Sequence, residues 1–244
     1  MAVVFRLAEE SPALIGTCRS VSLSLISVYH LHLDNDLPLP YCTIFVQVFK
    51  EPLNIVTPSQ TADLDAVIKQ VWIDLGHGVV RGRHPYHTPA LVSLDGGQPS
   101  ARTVVLRRVD ATQRQLICHT DIRSPKVQAF REQPNAAWLF YDRDGKTQLR
   151  IEGTVRVHHD DELAKTQWLA SAERSRMCYA TSTAPSTAVS GPEPSAPLTS
   201  GVDNFAVVNC TVRMIDWLFL RHEGHLRARF TWQQEAWRGE WLAP

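Results

Sequence analysis

Two arginines bracket a short apolar stretch near the middle of the chain. The segment ARTVVLRR, residues 101–108, places Arg102 and Arg107 at the ends of four residues that favour a β-strand. Fixed positive charges are rarely buried without a partner, so these arginines are either solvated strand ends or ligands for an anion. Side chains alternate along a strand, so two residues five apart contact one ligand only where the strand bends or bulges.

A second candidate for anion binding is the segment RSPK, residues 123–126. Ser124 and Pro125 predict the start of a helix, whose free backbone N–H groups and dipole attract phosphate beside Arg123 and Lys126. Ordinary helix capping explains the same residues, and both interpretations stay open on the residues alone. Together the two segments indicate a ligand that carries a phosphate.

Other chemistries have less support in the sequence. The pairs His84-x-x-His87 and His222-x-x-His225 have no third ligand nearby, which favours solvated histidines over a metal site. The serines lack the Gly-x-Ser-x-Gly pattern of a nucleophile elbow, so nothing specific indicates a hydrolase.

The composition is that of a globular protein in a reducing compartment. Of the 244 residues 44% are hydrophobic, and 25 basic residues balance 25 acidic ones, so no global charge favours nucleic acid or an anionic membrane. The five cysteines are widely spaced and include no Cys-x-x-Cys pair, which argues against disulfides and zinc. No apolar run reaches the length of a spanning helix, so we expect a cytoplasmic protein with no membrane partner.

The residues that frame the two arginines predict an antiparallel meander. Leucine, valine and isoleucine recur at helical spacing behind Asp63 and predict a helix that ends at Gly76. The next 23 residues, from Thr88 to Asp110, predict two strands across a Gly96-Gly97 turn, and QLICHTD predicts a third.

The second half of the chain continues this pattern. We expect a short helix at RSPKVQAFREQ, a hairpin that turns at Asp144-Gly145, a helix at DDELAKTQWLASAE, and final strands around His222 to Gly224. Between Ser182 and Gly201, 14 of 20 residues are Ser, Thr, Pro or Gly, which predicts a long loop that is either disordered or functional. These elements favour an antiparallel barrel with a few helices over a βαβ array.

Residues 1–57 form a separate N-terminal extension in this interpretation. Their strand-like stretches lack a clear partner pattern, so they are either a small added hairpin or an upstream extension outside the natural product. There is no methionine between Met1 and Met177, so a later start needs a non-AUG codon such as one at Val56.

Five segments, in order, resemble the pyridoxamine 5'-phosphate oxidase family of FMN-binding split barrels, in particular its oxidase-like branch. They are ARTVVLRRVD, ICHTDIRSPKVQAF, NAAWLFYD, QLRIEG and IDWLFLRHEGHLRARF. The resemblance covers about residues 64–244 and implies a mainly β split barrel, so we expect an FMN-binding domain over residues 58–244 that includes the 182–201 loop. Residues 1–57 have no counterpart in it.

The resemblance also implies roles for individual residues. The strand with Arg102 and Arg107 would lie against FMN, Thr120 and Lys126 would contact its phosphate and ribityl chain, and Gln148 would contact the flavin. A tryptophan and an arginine of the family, which reach the flavin across a homodimer, match Trp217 and Arg229. The implied FMN contacts are Arg102, Thr103, Val104, Val105, Leu106, Arg107, His119, Thr120, Ser124, Lys126, Gln148, Trp217 and Arg229. For a B6 phosphate substrate the implied anchors are Arg107, Ser175 and Arg227.

Several positions depart from the family pattern. His119 replaces an aromatic residue, Pro125 replaces an arginine, and Ser171 replaces an arginine that binds substrate phosphate in true oxidases. An expected Gln-Ser pair aligns with Ala184-Pro185, and His225 and Arg227 stand where the family has an arginine and a histidine. With these departures, the resemblance supports FMN binding better than it supports oxidation of vitamin B6.

The function implied is that of a homodimeric FMN-dependent oxidoreductase whose flavin takes a hydride from a small phosphorylated substrate. The flavin would supply the chemistry, so the absence of a catalytic dyad is no objection. Two alternatives are a flavin-binding protein without catalysis and a split barrel that uses another cofactor, such as a deazaflavin or haem.

Overall fold

A nine-stranded antiparallel sheet dominates the part of the chain that the computed structural model describes, residues 63–192 and 196–244. The predictions for residues 1–57 lie outside the described residues. The strands are β1 Ala90–Asp95, β2 Gln98–Thr103, β3 Leu106–Asp110, β4 Gln115–Asp121, β5 Asn135–Asp142, β6 Thr147–His158, β7 Phe205–Phe219, β8 Leu226–Gln233 and β9 Ala236–Leu242. The helices are α1 Leu64–Val80, α2 Pro125–Glu132, α3 Glu162–Ala170 and α4 Glu173–Arg176, with short 3-10 turns at Pro85–His87, Met177–Tyr179 and Val202–Asn204. The expected mainly β fold is confirmed.

Strand β7 organises the sheet because it has neighbours on both edges along its fifteen residues. One edge pairs with β6 from Val207 to Phe219, whereas the other pairs first with β4, through Thr211, and then with β8, from Met214. The change of partner opens the sheet at this point, as in a split barrel. Strand order is β2-β1-β5-β6-β7-β4-β3, with β8 and β9 continuing from β7.

Alternating apolar residues of these strands form the main core. Trp138, Phe140, Leu149, Trp217 and Phe230 are all 1% exposed or less, and they pack in one cluster. Helix α1 closes this core with a stripe of buried residues at helical spacing, Val67, Val71 and Leu75.

Two predicted elements differ from the structure. Helix α1 begins after the Asp63 cap, as predicted, but continues past Gly76 to Val80. It can do so because nothing crowds Gly76 and because Gly78 packs against Tyr86, where a Cβ would come within 2.9 Å. The predicted single strand ARTVVLRR is two strands, β2 and β3, with Val104 and Val105 between them.

The remaining elements agree with the sequence. Strands β5 and β6 form the predicted hairpin around Asp144-Gly145, and β7 and β8 turn at residues 220–225. The described residues between 182 and 201 contain no helix or strand beyond an isolated bridge of Pro197 to Thr181, as expected for a loop. No helix within the described ranges is long and apolar enough to cross a membrane.

We predict that Gly153→Ala lowers the free energy of unfolding by about 1–3 kcal/mol, because overpacking forces neighbours apart. A Cβ at Gly153 would clash with the Thr211 carbonyl oxygen and lie 2.6 Å from Cys210 Sγ, at the register shift between β6 and β7. The matched control Gly76→Ala has open space in a helix, so we expect it to stabilise by about 0.4–1 kcal/mol. Urea denaturation measures the free energy of unfolding of both variants. Equal values would contradict the close packing at Gly153.

Candidate functional site

The chain breaks between β2 and β3, between Arg102 and Arg107. Such a break is what the two arginines need if both are to contact one ligand. Strand β2 pairs with β1, whereas β3 pairs with β4, so Arg102 and Arg107 belong to different ladders. The register between β3 and β4 also shifts between Leu106 and Arg108, which leaves Arg107 as an exposed bulge residue. The chain therefore bends where a ligand contacting both ends needs it to bend.

Seven of the predicted FMN contacts line one cavity of about 380 Å³, which we call the Lys126 cavity. They are Arg102, Thr103, Val104, Val105, His119, Thr120 and Lys126. Its other wall includes Tyr179 and Thr181. Sequence analysis missed these two residues, which precede the Ser/Pro-rich loop and belong to no motif.

Lys126 is held in the cavity by hydroxyl groups. Its Nζ donates to Thr120 Oγ1 at 3.0 Å and to Ser124 Oγ at 2.7 Å, and both hydroxyl side chains are buried. Ser124 occupies the N-cap position of α2 but makes no side-chain cap, so its hydroxyl serves the lysine instead. Burial lowers the pKa of Lys126, and the nearby Arg102 lowers it further. No carboxylate among the described residues pairs with this ammonium.

Arg102 is likewise bound by neutral oxygens. Its guanidinium donates to the Leu91 carbonyl at 3.2 Å, to Ser93 Oγ at 2.9 Å and to Ser100 Oγ at 2.8 Å. Burial lowers the pKa of Arg102, and no ion pair within the described residues compensates its charge. Both cations line one cavity and have no carboxylate partner among the described residues, an arrangement that favours an anionic ligand.

Arg123 has a different role from its neighbour Lys126. Its Nε and Nη2 donate to the two oxygens of Asp121 at 3.0 and 2.7 Å, and its remaining donors reach backbone carbonyls of the 181–182 segment. The pairing with Asp121 raises the pKa of Arg123. Its guanidinium is thus engaged within the protein, although the sequence placed it beside the phosphate.

A second cavity of about 210 Å³ lies on the other side of His119, and we call it the Arg107 cavity. Three further predicted residues line it, namely Leu106, Arg107 and Ser175. Its lining also includes Gln167 and Ser171, and Arg107 is the one charged residue in that lining. The strand break therefore separates the predicted cofactor contacts of residues 102–107 into two cavities.

His119 forms a wall common to both cavities. Its Nε2 lies 3.2 Å from Gln167 Oε1, and its ring packs edge-on against Phe205 at 4.8 Å between centroids. Burial, with a smaller effect from Arg107, lowers the pKa of His119 to about 4, so the imidazole is neutral at pH 7. Because the amide oxygen accepts, the neutral ring carries its proton on Nε2.

Three of the remaining predicted residues share a different surface, which we call the outer face of β6–β8. Gln148 pairs with Leu218, and Arg229 pairs with Asp216, so period-two alternation places Gln148, Arg227 and Arg229 on one side of the sheet. Arg227 donates to both oxygens of Asp216, at 3.0 and 2.8 Å. The buried Nε of Arg229 has no hydrogen-bond partner among the described residues.

Trp217 lies on the opposite side of the sheet from Arg229. It is 1% exposed, stacks on Phe219 at 6.0 Å and contacts Trp241 edge-on at 6.5 Å. Leu218, its neighbour, occupies the outer face beside Gln148. Within one chain the structure therefore brings Trp217 to the core and not to a cavity.

No metal site forms from the histidine pairs in the portion of the chain that the structure describes. His84 accepts from the Tyr86 N–H at 3.2 Å, and His87 Nδ1 lies 2.7 Å from the Gly78 carbonyl oxygen. These contacts are structural.

The fold and this site define an antiparallel split barrel with a cationic cavity at a strand break. Residues 70–159 match the family model described as "Pyridoxamine 5'-phosphate oxidase, FMN-binding domain". The predicted resemblance to the pyridoxamine 5'-phosphate oxidase-like split barrels is thereby confirmed.

Curated relatives match part of this region. A pyridoxine/pyridoxamine 5'-phosphate oxidase 2 of Arabidopsis thaliana is 32% identical over 97 residues, which are 37% of this chain and 48% of that protein. A pyridoxine/pyridoxamine 5'-phosphate oxidase of Xanthomonas campestris pv. campestris (strain 8004) is 41% identical over 78 residues, which are 31% of this chain and 38% of that protein. The chain thus spans less than half the length of these relatives.

Solved structures show the same fold over more of the chain. A pyridoxamine 5'-phosphate oxidase-related, FMN-binding protein of Nostoc punctiforme PCC 73102 has a TM-score of 0.60 at 23% identity and covers 72% of this chain and 96% of its own. PhzG of Burkholderia lata 383, solved with tetrahydrophenazine-1-carboxylic acid, has a TM-score of 0.56 at 19% identity and covers 74% and 92%.

We predict that the stability of the protein falls as the pH decreases from about 6.5 towards 4, partly because of His119. In that interval an unfolded histidine, with its ordinary pKa near 6.5, binds a proton that the buried native imidazole does not bind. His119→Gln should reduce this slope in urea denaturation at several pH values, whereas the exposed control His222→Gln should retain it. An unchanged slope in His119→Gln would contradict the buried neutral state.

Proposed function

We propose that the protein binds FMN with its phosphate in the Lys126 cavity and acts as an FMN-dependent oxidoreductase. The observation that carries this proposal is the pair Arg102 and Lys126, two cations that only neutral oxygens hold. A dianionic phosphate would supply the missing negative charge, and the hydroxyls of Thr120 and Ser124 add polar contacts. The family match over residues 70–159 supports FMN as the phosphate-bearing group.

The two cavities together suit an elongated cofactor better than either does alone. Residues 103–106 run from the Lys126 cavity to the Arg107 cavity and offer backbone groups and apolar side chains along the way. When bound, FMN supplies the chemistry, since its ring accepts a hydride. The protein binds the phosphate, orients the cofactor and places Arg107 and His119 beside the second cavity.

The substrate would occupy the Arg107 cavity. Arg107 and Ser175 line it, and we assign them the anchoring of an anionic group on a small substrate, with Arg227 contributed by a second subunit. A B6 phosphate is the substrate class that the curated relatives' names support.

The single charged residue of the Arg107 cavity favours a second candidate function. Residue 171, where the family pattern has an arginine, is a serine in this cavity. Among the residues that line the cavity, a dianionic phosphate ester would therefore meet only one cation, Arg107. This observation favours a flavin-binding protein that does not oxidise B6 vitamers. Reduction of the bound flavin by a B6 phosphate separates the two candidates.

The outer face of β6–β8 is the surface that we propose for homodimerisation. It combines Gln148 and Arg229 with the exposed apolar residues Leu139 and Tyr141 of β5, and Tyr141 pairs directly with Gln148. We therefore infer that a second copy of the chain covers this face and that Gln148 and Arg229 approach the flavin across the dimer.

We predict that the purified protein retains a flavin absorbance spectrum after addition of FMN and removal of free ligand. Lys126→Ala should raise the dissociation constant for FMN about tenfold or more, because a charge-assisted contact to phosphate is lost. The control Lys165→Ala removes a lysine from the exposed side of α3 and should bind like the wild type. Failure of the wild type to retain FMN would overturn the proposal.

Anaerobic addition of pyridoxamine 5'-phosphate or pyridoxine 5'-phosphate then tests the activity. Bleaching of the visible absorbance of the oxidised flavin is expected of an oxidoreductase that acts on these substrates. A flavin that stays oxidised with both would support the non-catalytic candidate instead.

We predict a dimer in sedimentation at micromolar concentration and a shift towards monomer in Leu139→Lys. A charge in the middle of an apolar contact is costly to bury, while Leu139 is already 41% exposed in the single chain. Ile73→Lys is the control, because Ile73 is 42% exposed on α1, and α1 packs on the core side of the sheet, opposite Leu139. A wild-type monomer that still binds FMN would contradict this arrangement.

A further inference from the structure

One wall of the Lys126 cavity is a short segment whose Tyr179 ring packs edge-on against Trp168 and Phe205, while its backbone after Tyr179 forms no helix or strand. Tyr179 and Thr181 line the cavity from this segment, which joins a 3-10 turn to the Ser/Pro-rich loop. Residues 180–185 belong to no helix or strand. Backbone in such a segment keeps one position only where other groups hold its carbonyls and amides.

Arg123 supplies hydrogen bonds to two consecutive carbonyls of this segment. Its Nη1 donates to the Ser182 oxygen at 3.0 Å, and its Nη2 donates to the Thr181 oxygen at 3.1 Å. The same guanidinium is fixed from behind by both carboxylate oxygens of Asp121, at 3.0 and 2.7 Å. Asp121 is 7% exposed, so its position is set by β4.

Asn204 holds the segment from a second side. Its Nδ2 donates to the Tyr179 carbonyl at 2.8 Å and to the Thr181 carbonyl at 3.1 Å. Gly201 lets the two stretches approach, because a Cβ there would lie 2.6 Å from the Ala180 nitrogen. Side-chain donors of Arg123 and Asn204 thus converge on the carbonyls of Tyr179, Thr181 and Ser182.

We propose that Arg123, oriented by Asp121, is a positioning residue that fastens the 179–182 segment as a wall of the phosphate cavity. This inference rests on the proposed FMN function. The N–H groups of Arg123 donate to Asp121 and to backbone oxygens, so Arg123 acts on the cavity through Tyr179 and Thr181. Its guanidinium also neutralises the carboxylate of Asp121, which lines the same cavity.

The first test is independent of any cofactor. Hydrogen exchange of the cofactor-free protein, followed by mass spectrometry, reports the protection of the segment, where the Ser182 amide donates to Ala196 and the Ala180 carbonyl accepts from Leu198. Arg123→Ala should accelerate exchange in peptides covering residues 177–185 about tenfold, with β6 peptides unchanged. The control Arg131→Ala removes an exposed arginine of α2 and should leave both unchanged.

The second test measures FMN affinity in the same variants. Arg123→Ala should raise the dissociation constant about tenfold, since a loosened wall must be ordered on binding. The double variant Asp121→Asn, Arg123→Ala removes the carboxylate charge as well, and its affinity should remain weak because position, not charge, is lost. If Arg123→Ala misfolds, Asn204→Ala replaces it in both tests with the same expectation.

The outcomes separate this inference from the proposed function. Faster exchange together with weaker FMN binding supports the inference. Unchanged exchange, faster exchange with unchanged FMN binding, or full recovery of affinity in the double variant would overturn it. If the wild type binds no FMN, the proposed function fails, and this role of Arg123 falls with it even where the exchange result shows that Arg123 fastens the segment.

Discussion

Two positive charges without carboxylate partners are the feature on which the site depends. The guanidinium of Arg102 and the ammonium of Lys126 line one cavity, and serine, threonine and backbone oxygens hold them there. Neutral oxygens orient a cation but leave its charge uncompensated, so an anion that enters the cavity gains from both charges. The paired arginines 123 and 227 show the contrast, since each is neutralised by an aspartate of its own chain.

The fold creates this cavity by interrupting a strand. Arg102 is the penultimate residue of β2, which belongs to the β1 ladder. Lys126 is in the first turn of α2, which follows β4, and β4 pairs with β3 and β7. Residues between the two ladders line the cavity because they have left one set of strand partners before joining the next. The change of partners along β7 opens the sheet in the same way on its other side, and the barrel splits there.

Local patterns predicted most elements of the fold but not the places where tertiary contacts override them. The Asp144-Gly145 hairpin and the Asp63 cap are local chemistry, and the structure has both. Gly76 does not end α1, since helix packing continues past it, and residues 101–108 divide because their two halves pair with different strands. The cavity contacts of Tyr179 and Thr181 arise from Arg123 and Asn204, which are distant in sequence, so no motif reveals them.

The alternation of side chains along β6, β7 and β8 determines where the predicted residues outside the two cavities lie. Gln148 and Arg229 lie on the outer face of β6–β8, outside the lining of the Lys126 and Arg107 cavities, so we infer that their predicted role depends on another subunit. Trp217 faces the core, because alternation along β7 gives the outer position to Leu218. A family pattern carried over residue by residue does not by itself fix which face of a strand each residue takes.

The location of the phosphate group tests the central claim most directly. A crystal structure of the protein grown with FMN would show it. The account predicts phosphate density within hydrogen-bond distance of Lys126 Nζ and the Arg102 guanidinium, between the hydroxyls of Thr120 and Ser124 and the segment at Tyr179. A flavin bound elsewhere, or a phosphate held by Arg227 and Arg229 with the Lys126 cavity filled by water alone, would contradict it.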